Sequence, residues 1–576
     1  MSHVMQSLVY KRRWRLKDFS RERAAQIARE LGCSAPLARV LAVRAPDTPA
    51  ELLERGRLYS PWQLRGVKEA VVRIDCALRQ GEKIFIQGDF DVDGITSTAL
   101  LYKALRALGA HGVKVDLSDR ERGHGLSDAV IRRLKDEGFS LLITADCGIS
   151  EAEFVQSLQE HGIDVIISDH HHPPSQLPSA YAIINPKQPG CSYPNKDLAA
   201  VGVVFQLVRA LYEQRGLPPQ ACEDFLDLVM LGTIGDLVPL VRNGCAENQR
   251  LVAQGLRRVA QGQACLGLRV LIEKLSLDPQ RLTTGEVGYI IVPKLNAANR
   301  VGDPRDAFML LVTALPSKAE TLATKLLAYN QDRQIAQDDL LFQAEEQLRS
   351  QPNWQNEKLI FLAGQYWNPG LIGLVASDLA EKYYRPTVLV SIGDEISRAS
   401  CRSIPGFDIM EALEKHGELF ERYGGHSMAA GFSIRNERLP VLKERLCAYA
   451  REVLRDLEDP LHELEAELAP EEITLETYTD LLRLAPFGMG HPTPRFLLRS
   501  AKIIELRTVG NGSRHLKLRV AAAGKEFSAI GFSLGEFAYN VGRAGTVGLA
   551  FKLGCDTWTG RPQVQLEIED ILEPSP

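Results

Sequence analysis

The sequence predicts a multidomain α/β protein, with a parallel-sheet domain, a long connecting helix, a second α/β domain and a small C-terminal antiparallel β-barrel. Three observations carry this. From about 80 to 240, β-favouring runs alternate with runs of helical spacing, which calls for right-handed βαβ units and a parallel sheet covered on both faces. From Pro316 to Ser350 no further proline and no glycine interrupts a helical pattern. After about 460 short, strictly alternating runs appear, as small antiparallel barrels require.

At 576 residues the chain is too long for one ordinary core. It divides into a helical segment 1–60, a parallel-sheet unit 61–315, a connecting helix 316–355, a second α/β unit 356–458 and a barrel 459–576. The hydrophobic fraction of 45% and charged fraction of 24% describe a soluble globular protein. A net charge of −5 provides no global attraction to polyanions, so any nucleic-acid site must be a local basic surface helped by metal. Ten cysteines lie scattered with no Cys-x-x-Cys pair, which argues against zinc clusters and a disulfide framework and fits a reducing cytoplasm. Lys11, Arg12 and Arg13 beside Trp14 leave no apolar core for a secretion signal, and no uncharged apolar run is long enough to span a bilayer.

Residues 1–60 read as helical and basic, in a packing or docking role. The alternating region then gives strand 84–88, helix 96–108, strand 113–118, helix 127–137, strand 141–145, helix 151–161 and strand 163–168. The first of these strands runs into a turn carrying Asp89, Asp91 and Asp93. Carboxylates at alternating positions repel one another, and a buried strand end keeps them only if cations neutralise them; a solvated Asp-rich turn is the alternative. In parallel α/β sheets the ligand site lies outside the carboxyl ends of the strands. The other unusual residues fall there: Asp146 ends strand 141–145, Asp169, His170, His171 and His172 follow strand 163–168, and Asp236 stands alone in an apolar stretch. Asp236 by itself reads more often as a cap or a satisfied turn residue, and gains its functional reading only from the set it joins. Several carboxylates with an imidazole on one sheet edge suit two divalent cations, and mostly oxygen donors favour Mn²⁺ or Mg²⁺ over Zn²⁺.

Asp-x-Asp-Gly at 91–94, the strand-ending Asp146, Asp-His-His at 169–171 and Asp236 resemble, in order, the four motifs of the DHH phosphoesterase superfamily. Within it the chain is most similar, over nearly its whole length, to the bacterial single-strand-specific 5′→3′ exonucleases. The resemblance implies that Asp146 bridges two cations, that Asp91 with Asp89 serves one, and that Asp93, His170 and Asp236 serve the other. His171 would face the scissile phosphate, with Asp169 and His172 orienting ligands. Where many relatives carry a histidine, this chain has Gln87, and Asp89 is the residue able to replace that ligand.

Four further stretches gain meaning beside these motifs. Arg120 and Arg122 follow a strand end and could meet phosphate, or lie in a solvated loop. Asn299 and Arg300 sit in a polar, small-residue stretch read as a loop, where relatives hold an arginine near the substrate. Ser400, Arg402 and Ser403, with Gly424, Gly425 and His426, resemble the substrate-gripping turns of the DHHA1 domain; Asn368 stands where many relatives have histidine. Glycines let backbone N–H groups approach an anion, although Gly-Gly alone is more often merely a turn. In the barrel, which resembles an OB-fold, His515, Lys517 and Arg519 share one face of a strand as candidate DNA contacts.

These readings converge on a cytoplasmic, monomeric 5′→3′ exonuclease acting on single-stranded DNA in recombination and repair. The resemblance suggests single-strand-binding protein and a RecQ-type helicase as partners, and no membrane. A small-substrate phosphatase or pyrophosphatase of the same superfamily would leave the last hundred residues idle. A non-catalytic DNA-binding scaffold would have no need of a full cation cage.

Overall fold

In a computed structural model the described residues are 4–10, 12–118, 128–456, 458–556 and 560–574. The N-terminal segment departs from its helical expectation. It opens with strands β1 (Val4–Gln6) and β2 (Arg13–Leu16), and β2 also pairs in parallel with Leu461–Leu464. So short a strand as β2 carries little local signal, because its second partner lies more than 400 residues away in the chain. Trp14 is buried there and donates from Nε1 to Asp570 Oδ2 at 2.7 Å. The helices Arg21–Leu31 and Ala35–Arg44 do form, and their Ile27, Leu37 and Leu41 join the apolar core of the barrel.

The parallel sheet consists of β3 (Ile84–Gly88), β4 (Val113–Leu117), β5 (Leu141–Ala145), β6 (Asp164–Ser168) and β7 (Ala182–Ile184), in the order β4-β3-β5-β6-β7. The chain steps from β3 to one side and then returns to the other, so β3 and β5 flank a topological switch point. β3 and β5 are buried throughout, which explains their unbroken apolar reading. The helix expected from 96 begins earlier, spanning Val92–Ala107, because Asp91 caps it by accepting from Asp93 N–H and Gly94 N–H.

Pro316–Ser350 is one continuous helix, about 52 Å long at 1.5 Å per residue. Its first half (Ala319, Leu322, Leu326) packs into the core of the parallel-sheet domain. Its second half (Leu340, Ala344, Leu348) packs under the next domain. That domain is a five-stranded sheet of β8 (Ile360–Gln365), β9 (Thr387–Ile392), β10 (Ile396–Arg402), β11 (Phe420–His426) and β12 (Ala429–Arg435), ordered β11-β12-β10-β9-β8.

The C-terminal domain contains β13 (Leu461–Leu464), β14 (Ala466–Glu467), β15 (Phe496–Val509), β16 (His515–Ala522), β17 (Lys525–Gly531), β18 (Thr546–Asp556) and β19 (Gln563–Leu572). β15 pairs with both β16 and β18, closing a five-stranded barrel; the β17–β19 pair is parallel, so the barrel is not wholly antiparallel. Among the described residues no helix is long and apolar enough to cross a membrane, and all ten cysteines are free.

The segment leading into the barrel clamps it to the parallel-sheet domain. Leu240 N–H donates to Met489 O (2.8 Å), Gln249 Nε2 to Leu484 O (2.7 Å) and Thr284 Oγ1 to Phe487 O (2.6 Å). His491, 2% exposed, completes the clamp between Leu484 O (3.0 Å from Nε2) and Arg44 Nη1 (3.3 Å from Nδ1). A carbonyl only accepts and a guanidinium only donates, so the ring is neutral with its proton on Nε2. Burial, and then Arg44, push its pKa from 6.5 down to about 4. The unfolded chain therefore takes up this proton first as pH falls, and stability is lost between about 6.5 and 4, by roughly 3 kcal/mol at most. Urea unfolding at pH 7.5 and 5, for wild type and His491→Gln, is expected to show a smaller acid-induced loss in the variant.

Candidate metal centre and substrate cleft

Each expected metal ligand stands at a strand end of the parallel sheet or beside it. Asp89 and Asp91 follow β3, Asp146 follows β5, and His170 and His171 lie just beyond β6. Gly94 allows the first turn to fold tightly: a Cβ there would lie 2.5 Å from Asp89 O. Donor atoms of Asp89, Asp91 and Asp146 lie within 4.8 Å of one another, as do those of Asp93, His170 and Asp236, and those of Asp146, His170 and His171. Asp146 joins the first and third groups, and its Oδ1 is 3.3 Å from His170 Nε2. It holds this position with φ 69°, unusual for a residue with a side chain.

The electrostatics are those of carboxylates buried against one another. Burial, and then the neighbouring carboxylates, raise the pKa of Asp91 and push those of Asp93 and Asp146 well above the ordinary value; burial and then Asp91 raise Asp236 to about 7. His170 falls to about 3, through burial and then His171. Asp146 Oδ1 and His170 Nδ1 are buried without a hydrogen-bond partner. Clustered oxygens, one neutral imidazole and an orphaned carboxylate oxygen fit divalent cations.

The two histidines differ in role. His171 Nδ1 donates to Asp169 Oδ1 at 2.8 Å, leaving Nε2 on a half-exposed ring. Burial opposes its charge, but the Asp169 hydrogen bond and field prevail and raise its pKa to about 9. Asp169 also accepts from His170 N–H, His171 N–H and Ile149 N–H, so it orients the turn as expected. His172 does not; its exposed ring lies 6.0 Å from that of His426, across the interdomain cleft.

Several supporting groups escaped the sequence reading. Both oxygens of Asp93 accept from the first turn of the helix Ala200–Gln214, Oδ2 from Ala200 N–H (2.6 Å) and Oδ1 from Val201 N–H (2.9 Å). Lys187 Nζ donates to His170 O (2.6 Å) and Asn185 Nδ2 to His171 O (2.9 Å). Both residues follow β7, so the strand-end rule applied one strand further would have found them. Asn296 Oδ1 accepts from Val92 N–H (3.0 Å), between Asp91 and Asp93.

The substrate-side expectations divide. The stretch with Asn299 and Arg300 is a helix, Val292–Val301, and not a loop. Small polar residues there pack closely against the metal turn: Asn299 is buried and donates to Phe90 O, bracing that turn. Arg300 reaches across to Gly370 O at 2.6 Å. Arg402 Nε donates to Ser377 Oγ (3.0 Å) and Nη1 to Ser400 Oγ (3.1 Å). Burial lowers its pKa, and no carboxylate pairs with it among the described residues. At Gly373 a Cβ would lie 3.1 Å from Arg402 Nη2, so glycine leaves space beside the guanidinium. Ser403 instead turns inward, buried, with Oγ donating to Phe407 O. Gly424, Gly425 and His426 form the exposed end of the strand β11. Arg398, missed in the sequence, lies on β10 two residues before Ser400 and lines a cavity of about 630 Å³ with Phe90, Arg300 and Asn368. Arg120 and Arg122 lie outside the described residues.

On the barrel, His515, Lys517 and Arg519 do alternate with buried Leu516, Leu518 and Val520. The face is not a one-sign patch. Lys517 lies 3.5 Å from Asp556, Arg519 meets Glu505 (3.5 Å) and Glu526 (3.4 Å), and His515 Nδ1 accepts from Ser533 N–H. Gln87 is buried beside the metal turn.

Comparison with known proteins agrees with this geometry. Family models match residues 83–233 (DHH family, N-terminal domain), 356–452 (DHHA1 domain) and 464–570 (RecJ OB domain). The chain is 35% identical over 577 residues to the single-stranded-DNA-specific exonuclease RecJ of Bacillus subtilis, covering 98% of this chain and 71% of that protein. It is 34% identical to its counterpart in Salmonella typhimurium, covering 96% and 98%. The crystal structure of RecJ from Thermus thermophilus in complex with Mn²⁺ superposes with TM-score 0.83 at 30% identity, over 98% of this chain and 80% of that one; the Mg²⁺ complex gives 0.78.

Proposed function

Because the chain belongs to the RecJ family of single-stranded-DNA-specific exonucleases, we propose that it removes 5′-mononucleotides from the 5′ end of single-stranded DNA by two-metal in-line hydrolysis, in recombination and repair. The observation that carries this is the linked set of donor groups, in which Asp146 and His170 each serve twice. Asp89, Asp91 and Asp146 would hold one Mn²⁺ or Mg²⁺, and Asp93, His170 and Asp236 the other, with Asp146 between them. Bound there, such ions supply Lewis-acid charge to the phosphoryl oxygens and acidify a water.

The protein's own groups do the positioning. His171, held charged by Asp169, presents Nε2 as a donor to a non-bridging phosphate oxygen. Arg402, with Ser400, offers a donor fork to the terminal 5′-phosphate. Arg300 and Arg398, which line one cavity, and His426, whose ring faces that of His172, would be further phosphate donors. The barrel's His515, Lys517 and Arg519 would contact the strand beyond, the last two in exchange for their present acidic neighbours.

The test is an assay on end-labelled single- and double-stranded DNA with Mn²⁺ or EDTA. Mononucleotides are expected from the single strand alone, and none with EDTA. Hydrolysis confined to dinucleotides or pyrophosphate would favour the small-substrate phosphatase, and binding without hydrolysis the scaffold.

A further inference from the structure

The helix bearing Arg300 is preceded by a π-helical turn, Val287–Ile291, a rare feature that enlarges one turn and re-aims its side chains. At its centre Tyr289 is 87% exposed. Tyr289, Pro293, Asn296 and Arg300 recur at helical spacing and form the more accessible stripe, whereas Val292, Leu295 and Ala298 are buried.

This stripe passes the metal centre. Asn296 accepts from Val92 N–H between two expected ligands, so the middle of the stripe touches the metal turn. Its Arg300 end abuts Gly370, on the segment leading into the helix Ile372–Tyr383 that packs on Arg402. The Tyr289 end is the one remote from that pocket, and it follows by five residues Thr284, which donates to Phe487 O in the barrel clamp. Gly288 packs on Ile234, two residues before Asp236, and Leu237, 64% exposed, follows that ligand. Seven residues of helix set Tyr289 about 10 Å from Asn296, roughly one or two nucleotides of an extended strand.

We propose that Tyr289 is a stacking platform for a base on the 3′ side of the bond that is cut, holding the incoming strand while Arg402 holds its 5′ end. This rests on the exonuclease reading above. An exposed ring is suited to the task because every base has a π-face, which makes the contact indifferent to sequence. Lys294, the neighbour of Pro293, has its pKa lowered by burial and then by the charge of Arg333, so two cations add positive potential beside the path.

The experiment measures kcat and KM on 5′-phosphorylated oligonucleotides carrying one abasic residue at successive positions, for wild type, Tyr289→Ala and Tyr289→Phe. In wild type an abasic residue at roughly the second to fourth position is expected to raise KM about tenfold. Tyr289→Ala should raise KM similarly on intact strands, with little change in kcat, and should abolish the abasic effect, since both changes remove the same contact. Tyr289→Phe should restore wild-type behaviour. Additive effects of the abasic residue and Tyr289→Ala, or an unchanged KM in that variant, would overturn the stacking assignment while leaving the exonuclease reading intact. Failure of wild type to release nucleotides from any strand would remove the exonuclease reading itself.

Discussion

Asp146→Ala is expected to abolish Mn²⁺-dependent hydrolysis, by roughly three orders of magnitude or more, about 4 kcal/mol of barrier. Its carboxylate belongs to the Asp89 and Asp91 group and lies 3.3 Å from His170 of the other, so its loss is expected to unseat both cations together. The fold is expected to survive. Two opposing terms act on stability: alanine at φ 69° costs about 1 kcal/mol, whereas removing a buried carboxylate among like charges relieves repulsion. Asp146→Asn tolerates the left-handed backbone better and separates strain from ligand loss. Rates, Mn²⁺ titration calorimetry and melting curves on both variants check this. Near wild-type activity with full Mn²⁺ binding would sink the proposed bridging role.

The second large effect concerns the end of the strand. A symmetric pair of cations cannot distinguish 5′ from 3′, so polarity must come from a group that recognises the terminus. Arg402 is the strongest such group, with hydroxyl and carbonyl partners and no acidic partner among the described residues. A terminal phosphate gives such a fork two charges and open oxygens. Arg402→Ala is therefore expected to cost roughly 2–5 kcal/mol on 5′-phosphorylated strands and much less on 5′-hydroxyl strands, leaving Mn²⁺ affinity unchanged. Initial rates on the two substrates, matched in sequence, give the ratio. If the ratio stays at its wild-type value, end recognition lies elsewhere.

Which side chains could hold metal was largely legible before any fold was known, because cation chemistry restricts the donor types and parallel sheets put most of them at strand ends. Asp89, Asp91, Asp146 and His170 meet that description, Asp93 follows one residue inside the helix Val92–Ala107, and Asp236 comes instead from the end of the helix Leu226–Gly235. What holds them was not legible. The first turn of Ala200–Gln214 reaches Asp93 through backbone N–H groups, and any sequence supplies those. Asn296 and Asn299 brace the turn from a helix two hundred residues onward, and their small polar run resembles a loop when read locally.

By itself the sequence determined the periodic elements: the buried strands, the 35-residue helix and the alternating barrel strands. Each is dictated by the spacing of apolar residues within a few turns or pleats, which is local information. Tertiary structure alone decided the rest. It paired β2 with β13, turned Ser403 inward, met Lys517 and Arg519 with acids and ranged Arg398 beside Ser400 in the cleft. These outcomes depend on which distant surfaces meet when the apolar faces are buried, and a side chain's accessibility and charge partners exist only once they have met.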